Sequence, residues 1–330
     1  MTDYQKPELL ALAFDQYQRY RLAAEVLDRV RDPGRSFDII EIGGHPGYSR
    51  KFFPSDRVIV ADMLSSGDSL DLLASAESLP FEDHVFPVAL AVDVLEHIPP
   101  GNRQAALQEM ARVSSELVLI AAPFDYSLAR ECERMVFDFI KDWLGYEHKY
   151  LKEHLESPAP DLVQTESELV RLGFDTEIFP NGYIERWLVM MLGYYYFEGF
   201  PRDLDLRKEI TEFYNKNFFW QDLAEPAYRH LIVASRTRLR EKPGALADLV
   251  SRKQKLPEPN YERMRLWLDL FVQGETRRLL ERIGEMEAVL REKEEEIQNQ
   301  KAYIAELEDF HKKVKGSLIY KIYRGLFRKS

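Results

Sequence analysis

Short apolar runs alternate with helix-patterned segments along the first part of the chain. Glu8 to Arg31 places Leu9, Leu10, Leu12, Ala13, Tyr17, Tyr20, Ala24, Leu27 and Val30 at helical spacing. This predicts one amphipathic helix, stopped by Pro33-Gly34. The runs that follow are Phe37–Ile42, Val58–Ala61, a weaker one at Leu70–Leu73, Val88–Val92 and Leu117–Ala121. Helical segments, Arg103–Val113 among them, separate most of these runs. Strands buried on both faces read as continuous apolar runs, and helices between them make parallel crossovers. Two later runs, Phe174–Phe179 and His230–Ser235, add strands. Further helices are expected between Ser127 and Leu155. The aromatic stretch Gly182–Glu225 is too long for a plain loop and predicts a helical insertion over one edge of the sheet.

The pattern changes after Lys242-Pro243-Gly244 and again after Pro257-Glu258-Pro259. From Tyr261 on, Ile283, Leu290, Ile297 and Ile304 recur every seven residues. Met286, Leu307 and Val314 hold the partner register, which Lys293 and Gln300 interrupt. A long helix without a packing face is marginally stable, so an oligomeric coiled coil is expected over a lone solvated helix. The chain therefore divides into a domain at 1–240 with its insertion at about 182–225, a linker at 241–260, a coiled coil at 261–316 and a tail at 317–330.

Length and charge narrow the classes. At 330 residues with 45 % hydrophobic content the chain can build a large core. A net charge of −11 argues against a nucleic-acid binder working through overall charge. The lone cysteine, Cys132, excludes an intramolecular disulfide and a cysteine zinc cluster. The polar start has no signal-peptide core, and the most apolar stretch, Trp187–Phe197, is about half the ~20 residues a spanning helix needs. A cytoplasmic protein is expected.

The most informative segment is Asp38 to Gly47, Asp-Ile-Ile-Glu-Ile-Gly-Gly-His-Pro-Gly. A buried strand ends in glycines, which allow positive φ and close approach of backbone to a ligand. In a doubly wound sheet this is where ligands bind, at the carboxyl ends of the strands. Asp62 ends the second run, where an acid can accept bonds from two ribose hydroxyls. Asp93 ends the fourth, beside the same crevice.

Glu41-x-Gly43-x-x-x-Gly47, Val-Ile-Val-Ala-Asp62, Ser75-Ala-Glu-Ser-Leu-Pro-Phe81 and Asp93-Val-Leu-Glu-His-Ile98 together resemble the class I S-adenosylmethionine-dependent methyltransferases. Within them the chain is most similar to the small-molecule and glycan branch (methyltransferase type 11-like). The resemblance spans Phe37 to Pro123. It implies an α/β fold, a Rossmann-like seven-stranded sheet with a reversed last strand at His230–Ser235, and S-adenosylmethionine as cofactor. Carried over by position, it implies Glu41, Gly43 and Gly44 near the amino-acid end of the cofactor, and Gly47 opening the helix behind it. Asp62 would hold the ribose and Met63 would lie against the adenine. Ser75, Ala76 and Glu77 would edge the adenine, and Asp93 would lie near the methionine moiety. His45 stands where the family has its middle glycine, and Ser75 where it has an acid. A dinucleotide pattern needs that middle glycine for its pyrophosphate, which argues against a dehydrogenase.

Methyl transfer to a hydroxyl needs a base as well as alignment. His97, His148 and His154 are candidates, with Glu96 and Glu153 beside two of them. His97, just after the fourth strand, is the expected catalytic residue, set against a structural histidine. Asp93, Glu96 and His97 have D-x-x-E-H spacing, similar to acidic-histidine sites of some magnesium-dependent methyltransferases. Many relatives carry Leu-Glu-His without a metal, so no metal is assigned. Glu147–His154 with Pro160-Asp161-Leu162, and Pro180–Trp187, resemble segments of bacterial methyltransferases found with glycosyltransferases in surface-polysaccharide synthesis. This implies an acceptor pocket within Ser127–Glu225, where Tyr183, Trp187 and Tyr194–Tyr196 either stack on sugar or fill the core. On α-helical spacing, Gln16–Tyr20 could close over the cofactor, with Arg19 meeting its carboxylate.

After Asp309 there are no acids, and basic residues interleave with Leu318, Ile319, Tyr320, Ile322, Tyr323, Leu326 and Phe327. Such an end suits an anionic membrane surface or a partner such as a glycosyltransferase. The leading expectation is O-methylation of a glycan or glycolipid intermediate in cell-surface polysaccharide synthesis, at or near the inner membrane. Its partners would be a small-molecule or glycan acceptor and further copies of the chain, without nucleic acid. The alternatives are methylation of a quinone precursor or lipid, and a silent scaffold working through its coiled coil.

Overall fold

The computed structural model describes residues 3–44, 46–63, 70–199, 204–237, 246–256 and 261–327. In the last segment the side chains of 261–278, 280, 281, 320, 323 and 325–327 are outside that description. His45, residues 241–245 and 257–260 of the expected linker, and Arg328 and Lys329 of the basic tail also lie outside the described residues. The chain separates into two compact units, Met1–Pro259 and Asn260–Ser330.

The first unit holds seven strands in one sheet. They are β1 (Asp38–Ile42), β2 (Arg57–Asp62), β3 (Leu72–Leu73), β4 (Phe86–Val92), β5 (Ser114–Ala122), β6 (Asp175–Tyr183) and β7 (Ala227–Ser235). Their order is β3-β2-β1-β4-β5-β7-β6, and only β7 runs antiparallel to its neighbours. This is the seven-stranded sheet with a reversed last strand that the sequence implied. Alternate residues of each strand feed two cores. Ile39, Val60, Leu90, Leu119 and Val233 pack on one face, and Ile40, Ala89, Val118, Ile120 and Ile232 on the other. Because both faces are covered, the strands carry little polarity, which is why they were legible as apolar runs.

Helices cover both faces. In chain order they are α1 (Pro7–Leu10), α2 (Phe14–Val30), α3 (Ser49–Phe52), α4 (Arg103–Val113), α5 (Ser127–Leu144), α6 (Lys149–Glu156), α7 (Leu162–Arg171), α8 (Ile184–Glu198), α9 (Leu204–Asn217) and α10 (Ala247–Arg252). α2 lies with the first core and α4 with the second.

Three details depart from the expected elements. The first helix is broken between Leu10 and Phe14, and the buried amide of Asn215 donates to the carbonyls of Leu10 and Leu12, both at 2.9 Å. The break is thus satisfied by a residue of α9, far along the chain. The helix expected behind the glycine turn is one turn only, α3, with Pro54 soon after its end. β6 continues past Phe179 through Pro180, Asn181 and Gly182 to Tyr183. It is an edge strand, where a missing backbone N–H is tolerated.

The second unit consists of α11 (Tyr261–Gly316) and α12 (Leu318–Phe327). Ile283, Leu290, Ile297 and Ile304 of the seven-residue repeat are all exposed. Among the described residues no helix is long and apolar enough to cross a membrane.

Candidate active site

The carboxyl ends of β1, β2 and β4 open into a cavity of about 680 Å³. Its walls come from α2, from the turns after these strands, from α6 and α8, and from β7. Gly43 sits at φ +71° and donates its N–H to the Ala61 carbonyl at 2.7 Å, which ties the turn to the end of β2. A Cβ on Gly43 would lie 2.4 Å from Cγ2 of Val94, and one on Gly44 would meet the Glu41 carboxylate at 2.2 Å. Gly43 is therefore required by close packing as well as by conformation, and Gly44 by close packing.

Three carboxylates gather around this turn, Glu41 and Glu96 buried and Asp93 half-buried. Glu41 ends β1, accepts from the Ser49 hydroxyl, and has the Tyr20 hydroxyl beside it. Burial lifts its pKa to about 7, against the pull of those hydroxyls and of Arg19. Asp93 follows β4 at φ +52°, a left-handed conformation that Asp tolerates better than most side chains. Its Oδ1 accepts from Arg229 Nε at 2.5 Å and its Oδ2 from Arg229 Nη2 at 2.6 Å, with Arg19 also donating to Oδ2. Burial pushes its pKa up, but the two guanidiniums outweigh that and hold it well below the usual carboxylate range. Arg229 Nη2 also donates to Asp15 at 3.0 Å. Glu96 lies on the turn Leu95–His97 and is 5 % exposed, yet neither carboxylate oxygen has a hydrogen-bond partner among the described residues. Burial, with the Asp93 charge, pushes its pKa up to about 8.

Two imidazoles complete the site. His97 Nε2 and His154 Nε2 are 3.4 Å apart. His97 Nδ1 lies 3.2 Å from Glu153 Oε2, and His154 Nδ1 lies 2.7 Å from Glu133 Oε1. Glu133 also accepts from the Tyr228 hydroxyl at 2.8 Å. Burial and the neighbouring His154 lower the His97 pKa. Burial lowers that of His154 too, but the hydrogen bond and charge of Glu133 outweigh it and leave it raised.

Residues 56–117, from the start of β2 into β5, match the family model of a methyltransferase domain. That segment is similar to methyltransferase domains. No curated protein matches it. Similar solved structures include a SAM-dependent methyltransferase from Thermotoga maritima, 13 % identical with TM-score 0.39, covering 70 % of this chain and 99 % of that one. The YcgJ protein of Bacillus subtilis is 13 % identical with TM-score 0.39, over 66 % of this chain and 99 % of that one. The [4+2]-cyclase SpnF is 14 % identical with TM-score 0.38, over 66 % and 81 %.

The expected site residues fall into two groups. Gly43, Asp62, Met63, Ala76, Asp93 and His97 line the cavity. Glu41, Gly44, Gly47, Ser75 and Glu77 do not. Glu41 and Gly44 brace the turn from behind. Glu77 accepts from the Ser75 hydroxyl and from Asn102 Nδ2 at 2.9 Å, which closes a turn beside Ala76. Arg19 lines the cavity as expected of the N-terminal helix, but its partner is Asp93.

Sequence reasoning missed Arg229 and Glu133. An arginine inside the apolar run of β7 was the available sign of the first. Nothing local marks Glu133, which lies on α5 and meets His154 only in the fold. Of the insertion's aromatics, Trp187, Tyr194 and Tyr195 line the cavity and Tyr183 does not. Trp187 stacks on Tyr228 with ring centroids 3.7 Å apart, and both it and Tyr183 are buried.

Proposed function

We propose that the protein transfers a methyl group from S-adenosylmethionine to a hydroxyl of a small polar acceptor, a glycan or glycolipid intermediate in our reading. The observation that carries this is that one cavity is lined both by Asp62 and Met63 and by His97, His154 and Tyr150. A donor and an acceptor can both enter it, as in-line transfer requires.

The donor end fits the cofactor by the chemistry of its walls. The backbone turn at Gly43 leaves room that a side chain would fill. Asp62 would accept from the ribose hydroxyls, and Met63, 71 % exposed at the rim, would cover the adenine with Ala76. When bound, S-adenosylmethionine supplies an electrophilic methyl on a positive sulfur, and the acidic groups Asp93 and Asp15 offset the arginines around it. At the other end, His97 is neutral at neutral pH and paired with Glu153, so it can accept the proton of an acceptor hydroxyl. Tyr150, 46 % exposed beside His97, offers a ring face to a sugar. The exposed heptad of α11 supports self-association, and the basic α12 supports attachment to an anionic surface or to a partner enzyme.

Calorimetry with S-adenosylhomocysteine on protein stripped of copurified ligand tests the reading. We expect one site per chain, and Asp62→Ala to weaken it by roughly 10- to 100-fold, the loss of a charged hydrogen-bond acceptor. No binding to the stripped protein would leave the scaffold reading in its place.

A further inference from the structure

We propose that Glu96, His97 and His154 form a site for one divalent transition ion of the zinc class. One oxygen of Glu96 and one nitrogen from each histidine all lie within 4.8 Å of one another. Glu96 is the independent sign of a ligand. It is buried, it faces the two imidazoles, and neither of its oxygens is bonded among the described residues. Buried carboxylates in folded proteins are paired or coordinate a metal.

The histidines are arranged as ligands. Each has a carboxylate at Nδ1, Glu153 for His97 and Glu133 for His154. Such a carboxylate fixes the tautomer with the proton on Nδ1 and leaves the Nε2 lone pair free to bind. Both Nε2 atoms then face each other at 3.4 Å. Two lone pairs at that distance repel unless a proton or a metal ion lies between them. Two imidazole nitrogens about 2.0–2.1 Å from a tetrahedral zinc are roughly 3.3–3.4 Å apart. Two imidazoles with one carboxylate suit zinc or cobalt over magnesium, which prefers an all-oxygen shell.

This ligand set differs from the D-x-x-E-H spacing. Asp93 is excluded because both its oxygens are taken by Arg229 and Arg19. His154 of α6 replaces it. All three ligands line the cavity, so the remaining coordination position opens on the acceptor end. Resting on the methyltransferase reading, the ion would select acceptors that offer an oxygen donor and would lower the pKa of a hydroxyl bound there, replacing His97, then a ligand, as the means of activating that hydroxyl.

The test uses full-length protein treated with EDTA and then desalted. Cobalt(II) is titrated by visible absorption and zinc by calorimetry. We expect one ion per chain, with the intense absorption of low-coordinate cobalt. Glu96→Gln and His154→Asn should each weaken binding by roughly a hundredfold or more, and Glu153→Gln by about tenfold through loss of ligand orientation. Circular dichroism of each variant confirms the fold. No binding, or binding that none of the three substitutions changes, overturns the site. S-adenosylhomocysteine is titrated in parallel. Cofactor binding without ion binding defeats the metal site alone, and ion binding without cofactor binding defeats the methyltransferase reading alone.

Discussion

Asp93 and Glu96 stand three residues apart after the same strand, Asp93 half-buried and Glu96 buried, but their surroundings are opposite. Both oxygens of Asp93 are held by arginines, whereas neither oxygen of Glu96 has a partner among the described residues. Glu41, across the glycine turn, is intermediate, with one oxygen bonded to Ser49 and the Tyr20 hydroxyl beside the carboxyl. Their pKa values follow the same order. Asp93 is depressed, Glu41 is raised to about 7, and Glu96 is raised to about 8. Burial acts on all three alike, so the difference comes from the partners. The Asp93 charge is neutralised within the fold and joins α2, β4 and β7. The Glu96 lone pairs are left for something that enters the cavity.

The most direct way to break the contrast is to remove the partner of Asp93. Arg229→Met leaves Asp93 with Arg19 alone and removes the close partner of Asp15. Stripping one member from a buried ion network destabilises by about 3–5 kcal/mol, because the charge left behind stays desolvated. Urea unfolding should show that loss. The double variant Asp93→Asn, Arg229→Met should lose less than the two single losses added, since neither charge is then abandoned. Additive losses would mean that the arginine and the aspartate act separately.

Much of this arrangement was legible in the sequence, and the parts that were not share one cause. β1, β2, β4 and β5 were found because strands covered on both faces must be apolar throughout. Gly43, Asp62, Asp93 and His97 were found because they sit at fixed offsets from those strand ends. The break after Leu10 was not legible, because the residue that satisfies it, Asn215, lies beyond the sheet in sequence. The pairing of Arg229 with Asp93 was hidden for the same reason, as was that of Glu133 with His154. Sequence periodicity reports which side of an element is buried. It does not report which distant polar group will meet another there.

Glu41 gives the intermediate case a smaller effect with a defined sign. Its pKa rises from 4.5 to about 7 on folding. Between these values the folded protein holds a proton that the unfolded chain lacks. The contribution to stability is therefore complete below about pH 4.5 and is lost as pH climbs through 7. At about 1.36 kcal/mol per unit, the loss is at most roughly 3 kcal/mol. Glu41→Gln cannot titrate. Denaturation midpoints at pH 5 and pH 8 should thus show the wild type losing more stability than the variant across that span. Equal slopes would place the Glu41 carboxyl in a more polar setting.

The smallest effect belongs to Glu96, and its sign separates the two acids most sharply. Glu96→Met replaces the carboxyl with an apolar group of similar length. In protein freed of metal, no bond made by the wild-type side chain to the described residues is lost. An unsatisfied buried polar group is worth about 1–3 kcal/mol of destabilisation, and a volume-conserving apolar swap costs less than about 1.5 kcal/mol. The expected net change is a gain of about 1 kcal/mol, read by urea unfolding in EDTA. Asp93→Leu under the same conditions should go the other way, because it leaves Arg229 and Arg19 facing an alkyl chain. A loss above about 2 kcal/mol for Glu96→Met would show that its carboxyl is already bonded within the fold. Glu96 and Asp93 would then be two versions of one structural device, and the vacancy on which the contrast rests would be gone.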